Sequence, residues 1–336
     1  MECSFGGVVR KKCYPLLFSL PEMQTILGAG GVIGNGLASA LPRYTDQIRL
    51  VSRNPQRINP GDEIFPADLT NIGHTIKAVK GSEVAYLTAG FTYNTEVWQK
   101  TWPLVMENVL EACKVHDVKL VFFDNMYCYG RAAGPINENQ KMNPCSQKGE
   151  VRARIAEQML TEIEKGNLQG IIVRSADFYG PGADNSLAYK MVFQKLIHGK
   201  KASWVCHDNF KHASTFTPDA VEATALLGNT PTVWNQIWHL PTDSQALTGK
   251  EFIQLTAELM NAPPGYSLLK PWMLKMVSPF NADARELLEM TYQYECDYIL
   301  DSSKFEEKFY RPTGYQEGLK NTVNSLRSPA REPVEA

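Results

Sequence analysis

Paired cysteines are missing from this 336-residue chain. The seven present, at positions 3, 13, 113, 128, 145, 206 and 296, are odd in number and form no Cys-x-x-Cys pair. That suggests neither a disulfide framework nor a thiolate zinc site, predicts no metal centre, and fits the reducing cytoplasm. Long apolar runs are missing too: none approaches the roughly 20 residues that a membrane-spanning helix needs. Basic runs stop at Arg10-Lys11-Lys12 and the formal net charge is -2, so the chain carries no electrostatic footprint for nucleic acid. Neither nucleic acid nor membrane is expected as a partner. With 43% hydrophobic and 21% charged residues the composition is that of a globular protein, long enough for one large domain or two.

What the chain does have is Met23-Gln-Thr-Ile-Leu-Gly28-Ala-Gly30-Gly31-Val32-Ile33-Gly34, a short apolar strand that turns through glycines into a helix. Glycines at 28, 31 and 34 allow a tight turn, a close approach of phosphate to backbone, and close packing of helix on strand. The helix from about Val32 to Leu41 aims free N–H groups and its positive dipole end at an anion. Ile48–Ser52 reads as the next strand of a βαβ unit, the context that makes a glycine triplet a dinucleotide-binding turn. An acid is absent where that second strand ends. Arg53 stands there instead, and a guanidinium suits a 2′-phosphate, so NADP(H) is favoured over NAD(H).

Further strands are expected at Glu63–Ala67, Glu83–Leu87, Lys119–Phe123 and Gly170–Arg174. Helices are expected at Ile72–Val79, Thr95–His116 and from Gln147 to Gly166. Asp68-Leu69 and Thr88-Ala89-Gly90 then fall at strand exits beside the cofactor. The fifth strand leaves through Asp124-Asn125-Met126-Tyr127, an exit too polar to be core alone. From Asp184 the regular alternation loosens, with helical patterns at Met191–Ile197, Pro218–Gly228, Ile253–Met260, Trp272–Met276 and Ala284–Tyr294, and extended ones at Ser203–Cys206 and Gln236–Leu240.

These elements and motifs resemble the extended short-chain dehydrogenase/reductase superfamily of the NAD-dependent epimerase/dehydratase type. The resemblance spans about Met23 to Gly318. It rests on Gly28-x-x-Gly31-x-x-Gly34, Asp68-Leu69, Ala89-Gly90, Tyr129-Gly130, Arg174-Ser-Ala-Asp-Phe-Tyr-Gly-Pro-Gly182 and Phe216-Thr-Pro-Asp219. It implies an α/β fold: a Rossmann-like doubly wound parallel sheet with a smaller C-terminal α/β substrate domain. The expected divisions are an N-terminal extension at 1–22, a nucleotide-binding domain at 23–182, a mixed region at 183–326 that returns to the sheet and forms the substrate domain, and a loose tail at 327–336. Paired-helix homodimers are common in the superfamily.

The resemblance also implies a tyrosine and a lysine four residues apart on the long helix, with a serine or threonine at the end of strand five. Here the matching positions read Lys148, Arg152 and Asn125, and Trp102 stands where an asparagine is common. Three explanations stay open. Asn125, Tyr127, Lys148 and Arg152 act as a substitute catalytic set on a small carbonyl or sugar-nucleotide-type substrate, Lys148 also meeting the cofactor ribose; or the protein is a non-catalytic redox-sensing binder of nicotinamide nucleotide; or it is a structural subunit. Retention of Asp124, Asp177 and Tyr179 at sheet edges favours chemistry. His212 lies on a substrate-side segment with a bland packing alternative, and Arg285 has the bland alternative of a surface charge.

Overall fold

The computed structural model describes residues 22–327, so the N-terminal extension and the tail lie outside it except for their innermost residues. The chain begins with β1 (Met23–Leu27), α1 (Val32–Ala40), β2 (Ile48–Ser52), β3 (Glu63–Pro66), α2 (Ile72–Val79), β4 (Ser82–Leu87), α3 (Thr95–His116), β5 (Lys119–Asn125), α4 (Gln147–Glu164) and β6 (Gly170–Ser175). Three short strands follow, β7 (Asp177–Tyr179), β8 (Ala202–Val205) and β9 (Ser214–Phe216), before β10 (Gln236–His239) and β11 (Tyr266–Leu269). The later helices are α5 (Gln194–Ile197), α6 (Thr217–Gly228), α7 (Gly249–Met260), α8 (Pro271–Val277), α9 (Ala282–Leu288), α10 (Ser303–Lys308) and α11 (Tyr315–Arg327).

Seven strands form one parallel sheet in the order β3-β2-β1-β4-β5-β6-β10. The expected doubly wound α/β architecture is therefore present, and its strand order reverses direction between β1 and β4. Successive side chains of a strand point to opposite faces, so a sheet covered twice is apolar at every position. Leu27, Leu87 and Phe122 face α2, α3 and α4, whereas Ile26, Tyr86 and Val121 face α1 and α6. β6 is buried along its whole length. Asparagine or serine caps start α2, α3 and α4: Asn71, Asn94 and Ser146 each accept a bond from a backbone N–H in the first turn.

Beyond β6 the chain builds a further core around Tyr179, Phe193, Trp204, Phe252 and Leu319. Two small parallel pairs, β7 with β9 and β8 with β11, frame it. The helical pattern expected over Ala284–Tyr294 is interrupted: α9 ends at Leu288 and a separate 3-10 turn covers Thr291–Tyr294. Thr291 bonds the Leu288 carbonyl through its hydroxyl, and Tyr292 and Tyr294 are pulled into the interior. Periodicity alone does not detect such a side-chain stop.

Candidate functional site

At the carboxyl ends of β1 and β4 the glycine turn is held in a form that side chains oppose. Gly28 and Gly30 have φ of 113° and 107°. A Cβ on Gly28 would lie 2.3 Å from the Ala89 nitrogen, and one on Gly34 would lie 2.8 Å from the Gly28 carbonyl oxygen. At Gly30 and Gly31 the same construction meets nothing within 4 Å, so the turn is open on its outer side. α1 starts there with neither a side-chain cap nor an acid in its first turn, which leaves the first-turn amides of Val32 and Ile33 without a capping partner at the positive helix end. Among the described residues the buried Thr88 Oγ1 has no hydrogen-bond partner. An open cradle, uncapped amides and an unsatisfied hydroxyl together fit a dinucleotide pyrophosphate.

Arg53 is exposed just past β2. Asp68, past β3, accepts bonds from the Thr70 amide and hydroxyl at 2.9 and 2.8 Å. These bonds, with smaller help from the charges of Arg53 and His74, hold its carboxyl below the usual range. Leu69 is buried and its carbonyl accepts from Asn108 Nδ2 at 2.9 Å. Ala89 lies against Gly28, and Gly90 follows it in the chain.

The candidates on α4 are enclosed. Lys148 is fully buried, and its ammonium is bound by Glu286, Glu289 and, at 3.0 Å, Thr95 Oγ1. Glu286 also accepts from the Thr95 amide at the start of α3, and Glu289 from the Gln147 amide at the start of α4, both at 2.9 Å. Each carboxylate thus sits at a positive helix end as well as against the lysine. Burial alone would raise the Glu286 carboxyl, but the bonds from Lys148 and Thr95 outweigh it and hold the group below its ordinary value. Arg152 bonds Asp124 and lies 4.4 Å above the Trp102 ring. The other Asp124 oxygen takes Arg174 at 3.0 Å, so one buried anion ties β5, α4 and β6 together.

From Arg174 the bonds run on to Tyr129 Oη at 2.8 Å and to His239 Nε2 at 2.7 Å. Burial pushes His239 down to about 3. The neutral ring accepts from Tyr129 and donates through Nδ1 to the Asp301 carbonyl at 2.9 Å. Asn125 accepts the Tyr127 amide at 3.0 Å and so caps the turn leaving β5. α4 contains no tyrosine.

Tyr127 instead borders a small cavity of about 10 Å³, room for one water. Asp177, His212, Gln293 and Tyr298 line it as well. His212 Nε2 is 3.0 Å from Asp177 Oδ2, and Nδ1 is 3.3 Å from the Gln293 carbonyl. The Gln293 carbonyl can only accept, so Nδ1 donates to it and Nε2 faces the Asp177 carboxyl. Tyr294 stacks on the imidazole at 4.3 Å and donates to Asp177 at 3.3 Å. Burial, then the neighbouring Tyr93 phenol and Asp177 carboxylate, drive the Tyr127 phenol well above its ordinary value. It stays protonated and is not a ready base.

The structure therefore brings Tyr127, Asp177 and His212 together and places Lys148 and Arg152 in ion pairs beside them. Glu286 and Glu289 are inconspicuous in the sequence, since a Glu-x-x-Glu pair on a helix reads as a solvated face. Tyr294 was hidden inside the supposed end of that helix.

The strand order and glycine turn define a dinucleotide-binding α/β protein of the Rossmann class. Residues 25–227 match the family described as Epimerase, NAD dependent epimerase/dehydratase family, and the chain belongs to it. No curated protein matches the chain in sequence. Among solved structures, a double mutant of dTDP-glucose 4,6-dehydratase from Streptomyces venezuelae with NAD bound is 18% identical, with TM-score 0.75, covering 90% of this chain and 96% of its own. UDP-glucose 4-epimerase from Thermotoga maritima with UDP-glucose is 16% identical, with TM-score 0.74, covering 91% and 98%. UDP-glucose 4-epimerase from Thermus thermophilus with NAD is 18% identical, with TM-score 0.72, covering 91% and 99%. At these identities the likeness is one of fold.

Proposed function

We propose that this chain is a nicotinamide-dependent epimerase/dehydratase- or reductase-like enzyme that works on a small carbonyl or sugar-nucleotide-type substrate with a non-standard catalytic set. The observation that carries the reading is the convergence of Tyr127, Asp177 and His212 on one cavity beside the carboxyl ends of β5 and β6. The cofactor is held by Gly28, Gly30, Gly31, Val32, Ile33 and Gly34, with Thr88, Ala89 and Gly90 beneath it and Asp68 and Leu69 on the adenosine side. Arg53, with no acid in its place, favours NADP(H) over NAD(H).

A bound nicotinamide supplies or takes up a hydride at a substrate carbon. The chain's own residues manage the proton on the oxygen attached to that carbon. Tyr127 holds a proton that it can give when a carbonyl becomes a hydroxyl, and the Asp177–His212 pair replenishes or receives it. Lys148 and Arg152, balanced by Glu286, Glu289 and Asp124, fix α4 against β5 and α9 and move no proton in this scheme. That same neutralisation supports the second reading, a non-catalytic NADP(H)-binding redox sensor, in which the ion pairs serve only to hold the fold.

The two readings separate on incubation of the purified chain with reduced and oxidised cofactor and a panel of aldehydes, ketones and nucleotide sugars. Turnover that falls in Asp177→Asn and His212→Asn supports the enzyme. Cofactor binding without turnover in any mixture supports the sensor and contradicts the enzyme.

A further inference from the structure

Eleven large apolar side chains are exposed among the described residues, and five of them lie within nine positions: Trp272, Met273, Met276, Val277 and Phe280. Trp272 is 58% exposed, Met276 67% and Phe280 92%. Within α8 only Leu274 is buried and joins the C-terminal core. The spacing of the exposed residues places them along one side of the helix and the turn that follows.

Charge distinguishes this patch from an ordinary apolar surface. The exposed Lys270 and Lys275 flank it, and no aspartate or glutamate occurs from Leu259 through Ala282 in a chain whose net charge is -2.

We propose that α8 and Phe280 form a docking face for an anionic lipid bilayer. Tryptophan, phenylalanine and methionine on one side of a short helix, with lysines beside them, are what an interfacial helix presents to acyl chains and acidic headgroups. The same charges oppose the other occupants. A second copy of the face would set lysine against lysine, and the chain's own segment with Arg10-Lys11-Lys12 would add three more cations. The proposal departs from the expectation of no membrane partner, which rested on the lack of a run long and apolar enough to span a bilayer. α8 packs on α9, which carries Glu286 to Lys148 and is followed directly by Glu289. The docking face is therefore one helix away from the Lys148 ion pairs.

Co-sedimentation of the full chain with vesicles tests the proposal. Binding is expected to vesicles rich in phosphatidylglycerol, and little to phosphatidylcholine alone, weakening with added salt. Lys270→Ala and Lys275→Ala should each lower the partition coefficient about fivefold. Trp272→Ala with Phe280→Ser should lower it at least about tenfold. Circular dichroism and thermal melting of these surface variants should match the parent. The proposal is overturned if the full chain stays in the supernatant with anionic vesicles, or if the substitutions leave its binding unchanged. It is also overturned if the face serves self-association instead, seen as a dimer in sedimentation velocity that Phe280→Ser dissolves while vesicle binding is nil. Binding that emerges only after deletion of residues 1–21 overturns it likewise and assigns the face to that segment.

Discussion

Lys148 and His212 each stand among partners that their own segments do not announce. A lone lysine on the long helix reads as a catalytic or ribose-binding group, yet the structure gives it two carboxylates and a hydroxyl. Replacing it by methionine leaves Glu286 buried without its cation, so Lys148→Met is expected to lose about 3–5 kcal/mol in urea unfolding. Glu286 is held below its unfolded value of about 4.5, so its contribution is present above that pH and is lost as the pH falls through the lower folded value. Without the lysine, burial is no longer outweighed at Glu286, so acidification relieves the penalty and the stability gap between the parent and Lys148→Met should narrow as the pH falls below about 4.5. Conversely, His212→Asn and Asp177→Asn are expected to lower turnover by about 10²–10⁴ while leaving the cofactor dissociation constant unchanged. Equal losses of stability and cofactor affinity in these two variants would make the pair structural. Residue identity was visible in the sequence at every one of these positions. Pairing was not, because Glu286 meets Lys148 across 138 positions and His212 meets Asp177 across 35.

At the scale of elements, the strand–turn–helix at Gly28 was legible because its physics is local: a strand, glycines with positive φ and a helix start follow within a few residues. Gly28→Ala tests it. The added methyl would lie 2.3 Å from the Ala89 nitrogen, and φ of 113° resists any side chain. Loss of cofactor binding together with a destabilisation of about 1–3 kcal/mol is expected from calorimetry and denaturation. The first six strands of the sheet were likewise legible from short apolar runs between turn signals. β7, β9 and β11 were not read as strands. They are three or four residues long, and what defines them is pairing with distant partners rather than a pattern of their own. α9 was misplaced for a related reason, since Thr291 ends the helical run through a side-chain bond that composition does not reveal.

On the scale of the whole molecule, the parallel sheet, its crossovers and the family fold gather the exits of β1, β4, β5 and β6 along one edge. A ligand lying there touches residues separated by about half the chain. Anything that binds this folded edge and not the unfolded chain should raise its stability, by about 2.7 kcal/mol at a ligand concentration one hundred times the dissociation constant. Arg53→Ala is expected to weaken NADP(H) binding about tenfold or more and to leave NAD(H) binding unchanged, as measured by titration of each cofactor. The most direct measurement is calorimetric titration of the full chain with both nicotinamide dinucleotides, beside the Gly28→Ala variant. The account predicts one dinucleotide per chain, tighter for NADP(H) than for NAD(H), and none bound by the variant. Absence of binding by the parent chain to either cofactor would contradict it.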